Sequence, residues 1–588
     1  MSKSNNLMIT SLGIDLGTTY SVISVWVNDN PRPLDQNGNI SIFDSMISLE
    51  YTDGKFSYTT ARQAKTSETQ SKLYDAKRLI GKKYEEYTKM GTETNYWSFA
   101  VVEDENHNCM LEVPDPSDEN ELVRFYPEEV SAMVLMFLEK VVKKEYKGTL
   151  FKQVVVTIPV DFSPAQRQAT LRACQLAGWK NVRLINEPSA SLVAYKHYLE
   201  SANNLALKRK ALRNGQVALV IDFGGGTLDV CCGKIVNIQG KDESVVEVIC
   251  TDGDADLGGK HFDEIIKRIF LRKLENVKGF DTSLLDSFKI KGKDLPEEKY
   301  YKSLLINKLN VKSEELKINL DLQQMVKINV FDFFPERKYI RSFVEISREE
   351  FEEECRKELI PRFKKVINRV LNDKKVKAEN IDLVLPIGGM CKSPFVMKII
   401  EEMFPEESLR ADPKFNTLTA VANGAAYHAH RLSMEKETNY FKEILPYSVG
   451  VDVIRNGESH IMSVFGKKGD CLSVKPIYES KQSTWLCEDN QSKAWFGIYI
   501  GESRKTTDPG MKYMGGMTIE IPPNTKVSDY EMKMIMKISE DLIVFLEVKK
   551  VKDGKHLGDL KVHVDMNQLN EKLPQMMKHI KKYLNSIV

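Results

Sequence analysis

LGIDLGTT at Leu12 to Thr19 and LVIDFGGGT at Leu219 to Thr227 share one grammar: an apolar strand, an aspartate, an apolar residue, then glycine and a hydroxyl residue. Glycines end each apolar run and permit backbone geometries that other residues avoid. Gly17 in the first copy and Gly224, Gly225 and Gly226 in the second let successive N–H groups converge on one point, which suits phosphate oxygens. Asp15 and Asp222 stand beside those turns, where each can hold a water of a magnesium ion, a cation that prefers phosphate oxygens and retained water to an all-protein cage. Either motif alone also fits an ordinary hairpin with a glycine turn. The matched pair predicts a duplicated α/β unit with a two-sided anion cradle.

Outward from these motifs, strand-like runs alternate with helical periodicity from Leu12 to about Met434. A third glycine element, IDLVLPIGGM at Ile381 to Met390, ends a strand on Gly388 and Gly389 before a helical run, where a helix N-terminus can meet a nucleotide. No GxxxxGK[ST] run exists, which disfavours a P-loop enzyme. From about Tyr447 to Val564 the pattern turns to short alternating strands, as in Met532, Met534, Met536 and Ile538 against Glu531, Lys533 and Lys537. The expected organisation is a duplicated α/β domain at 8–434, a linker at 435–446, a β-sandwich at 447–564 and a short helical tail at 565–588.

At 588 residues the chain calls for several packed units, and 42% hydrophobic with 28% charged residues is ordinary globular composition. The 84 basic residues nearly balance 83 acidic ones, so an extended grip on nucleic acid or an anionic membrane is not expected. Nine cysteines without paired metal spacing read as buried reduced thiols. The start, MSKSNNLMITSLGIDLG, has no long apolar core, and no apolar run nears the roughly 20 residues of a membrane span; the expected compartment is cytoplasmic.

GIDLGTTYS, DAKRLIG, VTIPVDFSPAQRQAT, LINEPSASLVAY, IDFGGGTLDV, DLGGKHFD and IGGMCKSP, in that order, resemble the heat-shock protein 70-kilodalton chaperone family; LPYSVGVDV at Leu445 to Val453 and IEIPP at Ile519 to Pro523 extend the likeness into the β half. The resemblance implies an α/β actin-like two-lobed ATPase domain at 8–434 that uses ATP/ADP and Mg2+, followed by a β-sandwich that binds extended hydrophobic segments of unfolded clients, with J-domain co-chaperones and nucleotide-exchange factors as partners. It implies that Thr18, Thr19 and Tyr20 contact the phosphates, that Asp15, Glu187 and Asp222 surround the magnesium water shell, and that Lys77 positions the attacking water. Read without the match, Lys77 is an ordinary solvated helix lysine. Thr227 and Asp229 match the second phosphate loop, and Pro159 with Arg167 a relay toward the linker. Glu187 precedes Pro188, which points to a loop carboxylate rather than a helical one. Arg183 and Asn186 match the meeting place with J-domain partners.

At the adenosine end Glu314 and Lys317 match the family, whereas Ile318 stands where an arginine stacks on the base, Asp321 replaces a serine, Lys392 replaces an arginine and Leu418 an acidic residue. Losing a planar cation removes a stacking contact. The linker reads TNYFKEIL, with Tyr440, Phe441, Ile444 and Leu445 left as apolar surface for docking. Trp495, Gly497 and Tyr499 fit either a peptide groove or a sandwich core, and LNEKLPQMMKHIKKYLNSIV supplies at most a short helix in place of a lid. Two other readings stay open: a non-cycling nucleotide-holding co-chaperone or exchange relative, and a sugar or glycerol kinase on the same fold, which the β half disfavours.

Overall fold

The computed structural model describes residues 11–583 apart from 37–38, 41, 61–70, 91–96, 147–150, 203, 206–211, 238–243, 292–293, 336–341, 373–375, 377, 435–439, 456, 473–477, 540–542 and 563–566. Two mixed sheets organise the first four hundred residues. In one, the strand Ser11–Leu16 lies antiparallel to Tyr20–Val27 and parallel to Gln153–Ile158, with Val182–Asn186 beyond. In the other, Val217–Phe223 lies antiparallel to Leu228–Asn237 and parallel to Leu383–Ile387. Both central strands are buried along their length, which is why they read as near-continuous apolar runs.

Three cores follow from this layout. One fills the first lobe around Leu12, Leu111, Phe125 and Leu138; a second fills the other lobe around Phe223, Phe262, Phe270 and Phe363. The third joins the lobes at their base, where the helices Glu187–Ser201 and Ala420–Ser433 cross between the sheets. That crossing has no room for side chains: a Cβ at Gly424 would lie 1.8 Å from the Ala190 carbonyl oxygen, and one at Gly13 would lie 2.1 Å from the Ala426 nitrogen.

Beyond the lobes, two four-stranded antiparallel sheets face each other over Val449, Val451, Phe496, Ile498, Met534, Met536 and Leu546. Met532, Met534, Met536 and Ile538 all point into this core. Trp495 and Tyr499 do not: the alternation of Lys493–Ile500 puts them on the outer face, Trp495 half exposed with its ring over Gly497 and stacked with Tyr513, so neither belongs to the sandwich interior. The cysteines also divide. Seven are buried, but Cys471, in a two-residue edge strand, and Cys487, in a loop, are exposed, and all nine are free. No helix among the described residues is long and apolar enough to cross a membrane.

The strand Phe441–Ile444 is shared. Its Phe441 and Lys442 pair in parallel with Val246 and Glu247 of the second lobe's sheet, and its Glu443 and Ile444 pair antiparallel with Leu472 and Cys471 of the sandwich. Past the sandwich, the helix Asn567–Tyr583 returns to the first lobe, burying Met576, Ile580 and Tyr583 in its core. Tyr583 meets Phe56 and Phe125 at ring separations of 4.9 and 5.2 Å. Around this seam Lys572 reaches Asp104 (3.2 Å), Glu105 (2.5 Å) and the Tyr126 hydroxyl (3.0 Å), and His579 meets Glu129 at 2.9 Å.

Tyr583→Ala removes the aromatic anchor of this helix at a cost of about 3 kcal/mol, which raises its undocked population about a hundredfold. Hydrogen exchange across 567–583 should speed up and trypsin should cut at Lys578 and Lys581, while the lobes stay protected; unchanged exchange in that segment would refute the seam.

Candidate functional site

The two aspartate motifs end their strands facing each other across a cleft of about 600 Å³ between the lobes. The glycines are required by proximity: a Cβ on Gly225 would sit 2.1 Å from the Thr19 Oγ1, and one on Gly226 2.6 Å from the Thr18 Oγ1. Gly258 closes the same wall, its hypothetical Cβ lying 2.5 Å from the Gly226 nitrogen. Thr19 Oγ1 is buried with no hydrogen-bond partner among the described residues, a donor and acceptor left for something inside the cleft.

Lys77 is not a solvated lysine. It lies in the short helix Ala76–Leu79, is 8% exposed, and its ammonium is paired with Glu187 Oε1. Glu187 itself is not in a loop: it opens the helix Glu187–Ser201, since first-turn N–H groups have no intrahelical acceptor and Pro188 is tolerated there. Asp15 and Asp222 complete the cluster, with Thr157 Oγ1 donating to Asp15 at 3.3 Å. Burial first, and then the Glu187 charge, push Asp15 up to about 7, although Lys77 pulls the other way. Burial and the neighbouring carboxylates also raise Asp222. Three carboxylates thus share one ammonium, and the cluster is short of positive charge. No three His, Cys, Asp or Glu side chains among the described residues converge to hold a metal directly. A magnesium ion held through its own waters fits both facts.

The cleft is lined by Asp15, Gly17, Thr18, Thr19, Tyr20, Lys77, Glu187, Asp222, Gly224, Gly225, Gly226 and Thr227, and also by Glu314, Lys317, Ile318, Asp321, Gly388, Gly389, Lys392 and Leu418, with Gly388 so close to the second motif that a Cβ there would lie 2.8 Å from Asp222 Oδ1. Asp229 stands apart. Its place in the strand Leu228–Asn237 turns the carboxylate behind the wall, where Oδ1 accepts the Val160 N–H at 2.8 Å, so it lines no part of the cleft. Tyr20, expected near phosphates, is 42% exposed and donates its hydroxyl to Glu314 at 2.9 Å, bridging the lobes at the cleft mouth. Lys317 is held by Asp263 (2.8 Å) and Ile318 is 53% exposed. Ser393 donates to Asp321 at 2.8 Å, and burial pushes that carboxyl up.

Sequence reasoning missed two further lobe-to-lobe ties, Lys260 to Asp75 and Lys299 to Glu112 (2.9 Å). Lys260 lies within DLGGKHFD, so a signal was present for it; nothing local marks Lys299. Of a polar chain toward the shared strand the sequence reading named Arg167, matched to a relay toward the linker, but not Ser189 or Glu443. Arg167 donates to the Val160 carbonyl (3.3 Å) and to Asn186 Oδ1 (3.0 Å); Asn186 Nδ2 and Ser189 Oγ then donate to Glu443 at 2.9 and 2.8 Å. Arg183 and Asn186 belong to the strand Val182–Asn186 rather than to a loop.

Two lobes closing on a glycine-walled, cation-hungry cleft, with a β-sandwich strapped to both, define a nucleotide-cleft protein that carries a second, β-rich module. The chain belongs to the Hsp70 family: the family model described as Hsp70 protein matches residues 11–586. It is 28% identical over 505 residues to heat shock cognate 70 kDa protein 3 of Dictyostelium discoideum, covering 85% of this chain and 72% of that relative. It is 29% identical over 502 residues to the heat shock cognate HSP70 protein of Trypanosoma brucei brucei, covering 84% of this chain and 66% of that one. Membership makes it an ATP-binding chaperone of the Hsp70 type.

His428 lies behind the shared strand, fully buried, with Nδ1 against the Tyr440 hydroxyl. Burial, and then the Arg183 charge, lower it to about 3. The folded protein keeps this imidazole neutral while the unfolded chain protonates it near pH 6.5, so stability is complete above that pH and is lost as pH falls toward 3. Between pH 7.5 and 5 this group removes about 2 kcal/mol. Denaturant melts of wild type and His428→Gln at both pH values measure it: the variant should lose about 2 kcal/mol less on acidification, and equal losses would contradict the assignment.

Proposed function

We propose that this chain is an ATP-hydrolysing chaperone whose grip on extended hydrophobic segments is set by the nucleotide in its cleft. The observation that carries this reading is the buried Lys77–Glu187 pair between Asp15 and Asp222 at the meeting of two glycine turns. In this proposal the two strand-aspartate-glycine motifs are duplicated halves of an actin-like ATPase at 8–434, followed by the linker at 435–446, the peptide-binding sandwich at 447–564 and the helical tail at 565–588.

Asp15, Glu187 and Asp222 hold the water shell of Mg2+, which supplies the positive charge that phosphate oxygens need. Glu187 fixes Lys77, so that its ammonium stays aimed at the reacting phosphate and orients the attacking water at little reorganisation cost. Gly17, Thr18, Thr19, Gly224, Gly225, Gly226 and Thr227 offer backbone and hydroxyl donors to the phosphates, and Gly388 and Gly389 border the nucleoside. Asp229, Val160, Arg167, Asn186 and Glu443 form a bonded path from behind the phosphate loops to the linker strand, which supports coupling between cleft and sandwich. Client peptides, J-domain co-chaperones and exchange factors are the proposed partners, and the cytoplasm the proposed compartment.

A second reading, a nucleotide-holding co-chaperone that does not cycle, draws on the exposed Ile318 and on Leu418 at the nucleoside end. Single-turnover assays with radiolabelled ATP separate the two. Lys77→Ala should lower hydrolysis about a hundredfold or more with nucleotide still bound. ATP should speed release of a fluorescent peptide relative to ADP and to no nucleotide. Hydrolysis in wild type no faster than in Lys77→Ala, or release indifferent to ATP, would favour the non-cycling reading.

A further inference from the structure

One wall of the cleft, adjoining its second glycine turn, is built by the helix Pro296–Leu322 and by the segment that enters the helix Pro394–Met403. Glu314, Lys317, Ile318 and Asp321 recur on that long helix at spacings of three, four and three, so they share one face, and all four line the cleft. Two of these polar groups are committed: Glu314 accepts from Tyr20, and Lys317 holds Asp263 and the Gly259 carbonyl oxygen at 3.3 Å. Asp321 is different. Its Oδ1 accepts the Ser393 hydroxyl at 2.8 Å, and among the described residues Ser393 is its one hydrogen-bond partner. An ionised carboxylate has roughly four lone-pair positions, so most of its accepting capacity faces the cleft. Lys392, next in sequence to Ser393, lines the same cleft and can only donate, while Ile318 and Leu418 add aliphatic surface to the lining.

The two purines offer such a wall different groups. On its pairing edge guanine presents two adjacent donors, N1–H and N2–H2, and an acceptor at O6. Adenine presents a donor, N6–H2, beside an acceptor, N1. A carboxylate facing guanine receives both N–H groups, and a neighbouring ammonium can donate to O6. Facing adenine, the carboxylate gains one N–H while its other oxygen opposes the N1 lone pair, and the ammonium meets N6–H2, which offers it no acceptor. Taking the cleft to hold a nucleotide, as proposed above, we infer that Asp321, assisted by Lys392, makes its nucleoside end select guanine over adenine. ATP remains a ligand through its phosphates and the one N6–H2 contact; GTP is the tighter one.

Calorimetric titration of the full chain with ATP, GTP, ITP and XTP in magnesium buffer tests this. GTP should bind about tenfold or more tighter than ATP, the worth of one hydrogen bond to a charged group, with ITP, which lacks the N2 amine, in between. Asp321→Asn exchanges an acceptor for a donor, so it should lose affinity for GTP and prefer XTP, whose C2 carbonyl accepts. Asp321→Ser should return the preference to ATP. ATP binding as tightly as GTP to wild type overturns the inference and leaves the nucleotide reading standing. So does a uniform loss of all four nucleotides in Asp321→Asn, which would assign the carboxylate to the ribose. If none of the four binds wild type, the nucleotide reading falls and this inference falls with it.

Discussion

Three carboxylates and one ammonium are buried together at the centre of this molecule, and the rest of the structure is arranged to keep them there. Removing each charge from water costs on the order of several kcal/mol, and one lysine cannot offset three acids. Burial, and after it the Glu187 charge, pushes Asp15 up to about 7. Asp15 and Asp222 hang from the ends of two fully buried strands, Glu187 heads a helix, and Lys77 comes from a third segment, so no local rearrangement relieves the crowding. A site that is short of positive charge and rigid is one that a metal-bound anion completes.

Rigidity comes from the crossing at the base of the lobes. Gly424 lets the helix Ala420–Ser433 touch the helix that begins with Glu187, and Gly13 lets the first strand touch it from the other side. Any Cβ at either position would meet backbone atoms, which cannot move aside as a side chain can. The helix that carries the central carboxylate is thereby clamped at the pivot between the lobes.

How much of this was legible depended on sequence distance. The glycine turns at Gly17 and Gly224–Gly226 announced themselves because strand, acid and glycine are neighbours in the chain, and the Met532–Ile538 alternation marked a core face for the same reason. The burial of Lys77 was hidden because its partner lies 110 residues away. Pro188 misdirected the reading of Glu187, since proline forbids a helix interior but suits a helix start. In TNYFKEIL the apolar residues Tyr440, Phe441, Ile444 and Leu445 are all buried, but the placing of the strand depends on partners from other elements, Glu247 for Lys442 and Asn186 for Glu443. Alternation at Trp495 and Tyr499 gave their side of the strand but could not say which side faced the core.

Among the described residues the sandwich and its following helix hold the nucleotide half at two main places, on different lobes, besides a Lys512–Glu86 contact of 3.9 Å. Through Phe441–Ile444 it is stitched to the sheet of the second lobe and to the basal core; through Met576, Ile580 and Tyr583 its following helix is seated in the core of the first. One attachment is made of backbone hydrogen bonds, which are directional and tolerate little shear; the other is an apolar socket rimmed by ion pairs, which can release as a unit. If the lobes rotate about the glycine crossing, the distance between the two anchors changes, and the weaker must yield. The buried charge cluster, the glycine crossing and the docked helix are thus joined through one continuous set of packed elements, which is the physical basis for the coupling proposed above.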